Sequence, residues 1–483
     1  MAEETERTRG FVKWLPYIPV AGLVLPLGIS ISLHWPLYWA MAVGSVIAAA
    51  SAVRYLSAKS VLDEDRGTPT RGPSLAEICG YARSGISRIA NVVILILLVN
   101  AMTAVWFSSG TIQSMVYYGL TVISPGQVMA AGLIISTLVS LMLGSSVGTV
   151  ATVGVAVLGI AKALGLPSAL VAGAIMSGAV FGDRVSFLSP IFHLAVDFTG
   201  ADRGKASRRI LMTGVAAWLV ALLAYVVMGY SSASMVAVEG LKVRDTYLAL
   251  LTQSAKIGFW ALMPPALVMV LSAGKVPVRL CLMAGLVSGA LVAIAHQGQS
   301  IVLVLRSALF GFHQEAAVGE LTGLLRSGGI AGTRDMILLL GFAGAYTGIT
   351  ELSGMMEEAV RPLVSPLKTR MAFLMAAMGV SVLSAGLASN QAMSVILPAR
   401  LMEAKRKETG TSREDFAGSL ADSGMAAAGV IPWNVMAAIC AQSLQVPSQV
   451  YAPYSFFLIA LPVTGAVYAF LSQKKAGIRQ AAA

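Results

Sequence analysis

The sequence predicts an all-α polytopic membrane protein with about ten to twelve transmembrane helices, built as two inverted-topology repeats with re-entrant hairpins and broken helices. Three observations predict it: apolar runs of spanning length recur from one end of the chain to the other, two regions interrupt that pattern with polar and glycine-rich segments, and the basic loops alternate in a way that sets the two regions facing opposite sides. The 483 residues are 57% hydrophobic and 12% charged. A water-soluble domain carries roughly twice that charged fraction, so the composition excludes an ordinary soluble enzyme or binding domain.

The apolar runs come first. A helix crossing the bilayer needs about 20 mainly apolar residues. Suitable runs lie at Trp14–Leu33, Trp35–Tyr55, Ile86–Phe107, Gly126–Leu143, Ile210–Tyr230, Ile257–Leu271, Val276–Ala295, Met336–Thr350, Met371–Ala388 and Pro453–Phe470. The first run follows a mixed-charge leader and lacks a small-residue cleavage site, so it reads as a retained helix and not a signal peptide.

The interrupted regions are Gly144–Pro190 and Ser384–Asn434. Each reads as a polar hairpin followed by a helix that breaks. Ala172-Gly173 matches Ala417-Gly418, Ser177-Gly178 lies near Ser423-Gly424 and Pro190 lies near Pro432, a weak internal repeat. The chain therefore divides into a first repeat, 1–240, and a second, 241–483, together forming one transporter domain.

Charge sets their orientation. The net charge of +11 is concentrated in a few loops, as expected of cytoplasmic segments and not of a nucleic-acid-binding face. Arg400, Lys405, Arg406, Lys407 and Arg413 lie between the parts of the second unit, where the first has only Lys162. Beyond the broken helix the asymmetry reverses: Arg184, Arg203, Lys205, Arg208 and Arg209 follow the first unit, and 434–453 contains no Lys or Arg. Inverted repeats with paired breaks are a transporter architecture, with the binding site at the midplane where the breaks meet. Arg7, Arg9 and Lys13 at one end, with Lys474, Lys475 and Arg479 at the other, place both termini in the cytoplasm, in a multi-pass protein of the cell membrane.

An unwound helix exposes backbone groups that must be satisfied inside the bilayer. A hard cation held by carboxylate, hydroxyl and carbonyl oxygens does so. Asp183 and Asp422 interrupt long uncharged runs, and an acid at membrane depth usually faces the protein interior or a watery path. The structural alternative pairs Asp183 with its neighbour Arg184 at the membrane face. Around the acids stand neutral candidates: Ser186 and Thr149 in the first unit, Asn390, Gln391, Ser394 and Ser423 in the second. Hydroxyls in membrane helices also serve packing. Glu351 closes an apolar run and is a candidate for coupling, although Glu357 and Glu358 soon follow it, as at a solvated helix end.

His193 and His296 read as structural or loop histidines, and Cys79, Cys281 and Cys440 are too scattered for a disulfide framework or a metal cluster. The sequence contains no HExxH and no Walker A pattern, so neither a zinc hydrolase nor direct ATP drive is expected. No cofactor is expected, and no metal beyond a transported Na+.

These residues resemble the NhaC-type Na+/H+ antiporters, within the wider ion-transporter superfamily whose members also carry carboxylates and amino acids. The resemblance rests on Gly148-Thr149-Val150-Ala151-Thr152-Val153-Gly154, Ala172-Gly173-Ala174-Ile175, Ser177-Gly178 and Phe181-Gly182-Asp183-Arg184. It continues through 323–330, Glu351, Gln391, Ser394-Val395-Ile396-Leu397-Pro398, Asp422-Ser423-Gly424 and Ile431-Pro432-Trp433-Asn434. It implies a secondary transporter, not an enzyme, with small cations as substrates and the lipid bilayer as surroundings. Related folds also suggest a homodimer. Two positions depart from the family pattern. Where it usually reads GDK-x-SPLSDT, this chain has Pro190-Ile191 in place of the Asp-Thr pair, and Asn390-Gln391 replaces a common Asp-Gln. Loss of those acids favours, as the alternative, a Na+- or H+-coupled carrier of an organic acid or amino acid, with amides and hydroxyls at two helix breaks holding its carboxylate.

Overall fold

The computed structural model describes residues 14–64, 73–236, 248–274, 276–312 and 328–481. Among these the chain is helical, without strands. Ten helices are long and apolar enough to cross a membrane, and an eleventh span forms if Leu248–Ser254 and Phe259–Ala273, bent by 88°, count as one. The expected division between residues 240 and 241, and residues 323–327 of the motif noted above, lie outside the described residues.

The first helices are α1 (Tyr17–Ser32), α2 (Leu37–Glu64) and α3 (Leu75–Ser108). The run seen at Ile86–Phe107 is only the apolar part of α3, which begins earlier because Ser74 and Glu77 form a reciprocal capping box. A left-handed Gly110 then turns the chain into α4 (Thr111–Val122). The first interrupted region follows. Helix α5 (Val128–Leu143) ends at Gly144, where φ is +61°, a conformation that suits glycine. Helix α6 (Ser146–Ala163) contains a π-helical turn at Val150–Gly154. Next come α7 (Ser168–Val185), α8 (Pro190–Thr199) and α9 (Arg203–Val236). The region read as interrupted therefore holds two helices of spanning length, α6 and α7, with breaks at their ends.

Beyond α9 lie α10 (Leu248–Ser254), α11 (Phe259–Ala273), α12 (Val278–Ala295), α13 (Ile301–Phe310), α14 (Arg334–Leu352) and α15 (Met355–Val364). The second interrupted region comprises α16 (Arg370–Leu387), α17 (Met393–Glu408) and α18 (Arg413–Ala421). After an irregular stretch with one turn at Gly424–Ala427, it ends in α19 (Val435–Leu444) and α20 (Phe456–Ala481).

Burial separates two kinds of helix. In α7 the apolar window is 89% buried, whereas in α9 and α20 it is 33% buried. Helix α7 is thus the centre of the bundle, and α9 turns Leu219, Leu223 and Val227 outward, as a lipid-facing surface requires. Small residues let α7 sit there: a methyl group on Gly178 would come within 2.2 Å of the Leu133 carbonyl oxygen, and one on Gly182 within 2.5 Å of Ser140. Membrane helices pack closely through such residues because burial away from lipid supplies little drive. These contacts advance together along both chains, so α5 and α7 run parallel. A second apolar cluster joins α1, α2 and α14 through Leu23, Leu27, Met41, Ala48, Leu339 and Tyr346.

Candidate functional site

The two interrupted regions meet the bundle centre in the same manner. The tip between α5 and α6 rests on the break after α7. Ser186 donates to the Leu141 carbonyl at 2.8 Å, and Gly144 lies against Leu188. The tip between α16 and α17 rests on the irregular stretch after α18. There Gln391 donates to the Met425 carbonyl at 2.9 Å, Asn434 to the Ala385 carbonyl at 2.9 Å and Trp433 to the Gly386 carbonyl at 2.7 Å. The Val435 amide donates to the Ser389 carbonyl at 3.0 Å. Ser389 itself has φ +52°, and its buried hydroxyl has no hydrogen-bond partner. A non-glycine residue in this region is uncommon and strained.

Asp183 stands at the first meeting point, in the last turn of α7 and only 7% exposed. Ser146, in the first turn of α6, donates to one carboxylate oxygen at 2.7 Å. Ser189, the N-cap of α8, donates to the other at 2.7 Å while its oxygen accepts from the Phe192 amide. The carboxylate therefore joins the ends of three helices, and two N-termini present their positive dipole ends to it. Among the described residues no Lys, Arg or His forms an ion pair with Asp183.

Asp422, the C-cap of α18 and fully buried, has the opposite surroundings. Arg184 donates to one of its oxygens, which also accepts from Thr213 at 2.7 Å. Arg209 donates to the other at 3.0 Å. The same Arg209 lies 3.4 Å from Asp415, whose carboxylate is further held by Arg370, Ser412 and Tyr468. Thus Arg184, although next to Asp183 in the chain, pairs across the molecule with Asp422 and not with its neighbour.

The remaining candidates fall into two groups. Thr149 donates to the Ser145 carbonyl, Ser394 to Gln391 and Ser423 to Ser419, so each hydroxyl braces its own turn. Ser186 accepts from the Leu188 amide as well as bonding α5. Asn390 is exposed and caps the tip by accepting from the Ala392 amide. Glu351 lies apart from both carboxylates, paired at 2.7 Å with Arg88 in a partly exposed contact. Pro190 begins α8, a position that suits proline. Sequence reasoning counted Arg209 only as a loop charge and left out Thr213, Asp415, Arg370, Tyr468 and Ser189. The S-x-x-D pattern at Ser412–Asp415 marks the start of α18, but no local pattern says that Asp415 is also an ion-pair partner.

Residues 178–472 match the family described as the Na+/H+ antiporter family. The chain is similar to a Na+/H+ antiporter NhaC of Alkalihalophilus pseudofirmus, 29% identical over 78% of this chain and 81% of that protein. It is 30% identical to a malate-2H+/Na+-lactate antiporter of Bacillus subtilis, again over 78% of this chain and 81% of the relative. An arginine/ornithine antiporter ArcD of Halobacterium salinarum is 26% identical over 95% of this chain and 91% of its own length.

Proposed function

The chain belongs to the Na+/H+ antiporter family and is a multi-pass membrane transporter, and from that premise we propose that it exchanges Na+ for H+ at Asp183 by alternating access. One observation carries the assignment: Asp183 is buried at a helix break, bonded to two hydroxyls and free of any cationic partner among the described residues. A bare carboxylate at membrane depth is costly, and a bound Na+ or a proton relieves that cost. The two ligands then compete, which is what exchange requires. The hydroxyls of Ser146 and Ser189 keep lone pairs that a hard cation can share. Asp422, already neutralised by two guanidinium groups, is not the exchanging carboxylate in this reading.

The two interrupted regions act as inverted repeats. Helix order supports this, since α5 to α9 and α16 to α20 correspond one for one, and so do their neighbours. Helix α9 packs against α18 and α5, as α20 packs against α7 and α16. Helix α8 touches α17, as α19 touches α6. The basic loops, and with them both termini, face the cytoplasm.

The test is transport in proteoliposomes with an internal pH dye and imposed Na+, Li+ or K+ gradients. Na+-driven pH change, lost in Asp183→Asn and retained in Glu351→Gln, supports exchange at Asp183. Silence towards every cation until a carboxylate or an amino acid is added would overturn it and make the protein a carrier of organic solutes.

A further inference from the structure

The pairing of Arg184 with Asp422 is one link of a longer chain of charges that the exchange site does not use. In order it runs Arg184, Asp422, Arg209, Asp415, Arg370. These residues come from α7, α18, α9 and α16, and Tyr468 of α20 joins them: its ring stacks on the Arg209 guanidinium at 3.5 Å and its hydroxyl bonds Asp415. The helices of both interrupted regions are therefore tied at one place. The chain of charges leads from the break after α7 towards the side where the basic loops meet, since at the start of α18 Arg413 reaches the Gly200 carbonyl and Glu414 accepts from the Asp202 amide.

Three features distinguish the chain of charges from a static brace. It holds three guanidinium groups against two carboxylates, and Nε and Nη1 of Arg184 and Nε of Arg370 are buried without a hydrogen-bond partner. Buried ion pairs add little net stability even when fully bonded, so an incompletely bonded set is a contact that can exchange partners. Glycine stands at three points where its side chains cross a helix: an added methyl group would approach Arg184 Nη1 to 2.6 Å from Gly214, the Arg209 side chain to 2.8 Å from Gly418 and Asp422 to 3.0 Å from Gly465. Finally, among the described residues the far end of the bundle bears a surface cleft in place of a charge chain. Tyr225, three turns along α9 from Thr213, bonds the Tyr454 carbonyl. At that end a cleft of about 480 Å³ is lined by Trp35, Asp335, Gln442, Gln445 and Ser448.

We propose that the five charged residues form a latch that closes the basic-loop side of the transporter and must open each time Asp183 is exposed to that side. Arg184 and Arg209 are then positioning residues: they touch no transported ion, and they set which side reaches Asp183. The latch rests on the exchange reading above for its purpose, but its opening can be measured without transport.

The native Cys440 provides the probe. It is fully buried on α19, the helix that packs against α6, and lies near enough to Asp183 to feel its charge. In a Cys79→Ser, Cys281→Ser background, a membrane-impermeant maleimide is applied to vesicles of either orientation. Asp422→Asn, and Gly214→Ala, which displaces the Arg184 guanidinium while keeping every charge, should label Cys440 at least about tenfold faster from the basic-loop side alone. Asp422→Glu should restore slow labelling. Unchanged labelling in Gly214→Ala, or equal acceleration from both sides, would overturn the latch even if Asp422→Asn fails to fold. Selective acceleration in a protein whose unsubstituted form shows no Na+-driven exchange would leave the latch standing and remove the exchange reading.

Discussion

Asp183 and Asp422 each sit at the end of a helix that breaks, Asp183 in the last turn of α7 and Asp422 as the C-cap of α18. Asp183 accepts from two serine hydroxyls, whereas Asp422 accepts from a threonine and two arginines. A carboxylate without a counter-ion has to acquire one, and a carboxylate with two has no need of a third. In the proposed exchange the same residue type is thereby fitted for different tasks, binding of a transported ion at one break and pairing with the protein's own cations at the other. The difference lies wholly in the neighbours.

Substitutions can break this comparison. The largest effect is expected from Asp183→Asn, which should reduce Na+-driven proton movement to background in dye-loaded proteoliposomes while leaving thermal stability in detergent nearly unchanged. Asp422→Asn should do the reverse in emphasis. It strands Arg184 and Arg209, and loss of one partner of a buried ion pair costs about 3–5 kcal/mol, visible as a lowered melting temperature. If Asp183→Asn proved the more destabilising of the two, the division between exchanging and tying carboxylates would fall.

Smaller changes sharpen it. Ser146→Ala removes one hydrogen bond to a charged acceptor, about 1.5–3 kcal/mol, and should weaken apparent Na+ affinity by roughly tenfold or more with the maximal rate less affected. Asn434→Ala deletes the N-cap of α19 and its bond to the second hairpin, so about 1–2 kcal/mol of stability should be lost, read from thermal unfolding. Least of all, Glu351→Gln breaks a pair whose side chains are 50% and 28% exposed. Such a surface contact contributes about 0–1 kcal/mol, and both exchange and melting temperature should stay near those of the unsubstituted protein.

Much of this was legible beforehand. Apolar length located most of the spans, though not α6 and α7, whose polar and glycine-rich composition read as an interruption. Glycine, proline and polar runs located both breaks, because helix formation and its interruption depend on residues close together in the chain. Hydroxyl candidates were harder. Thr149, Ser394 and Ser423 look like ligands by residue type, yet each donates to a carbonyl in its own turn, a choice that hydropathy does not reveal. Arg209 was legible only as a positive charge near a membrane end, since the same residue satisfies the rule for basic loops and also reaches inward to two acids.

By itself the sequence determined that this is a membrane protein, where most of its helices run, where two regions break, and that acids stand at two of the breaks. Only the tertiary structure decided what each acid meets. Arg184 is adjacent to Asp183 but bonds Asp422, 238 residues away, while Asp183 turns to serines 37 residues before it and 6 after. The physical reason is directional: one helix end points successive side chains to different sides, so neighbours in the chain part company and their partners are chosen by the packing of whole helices.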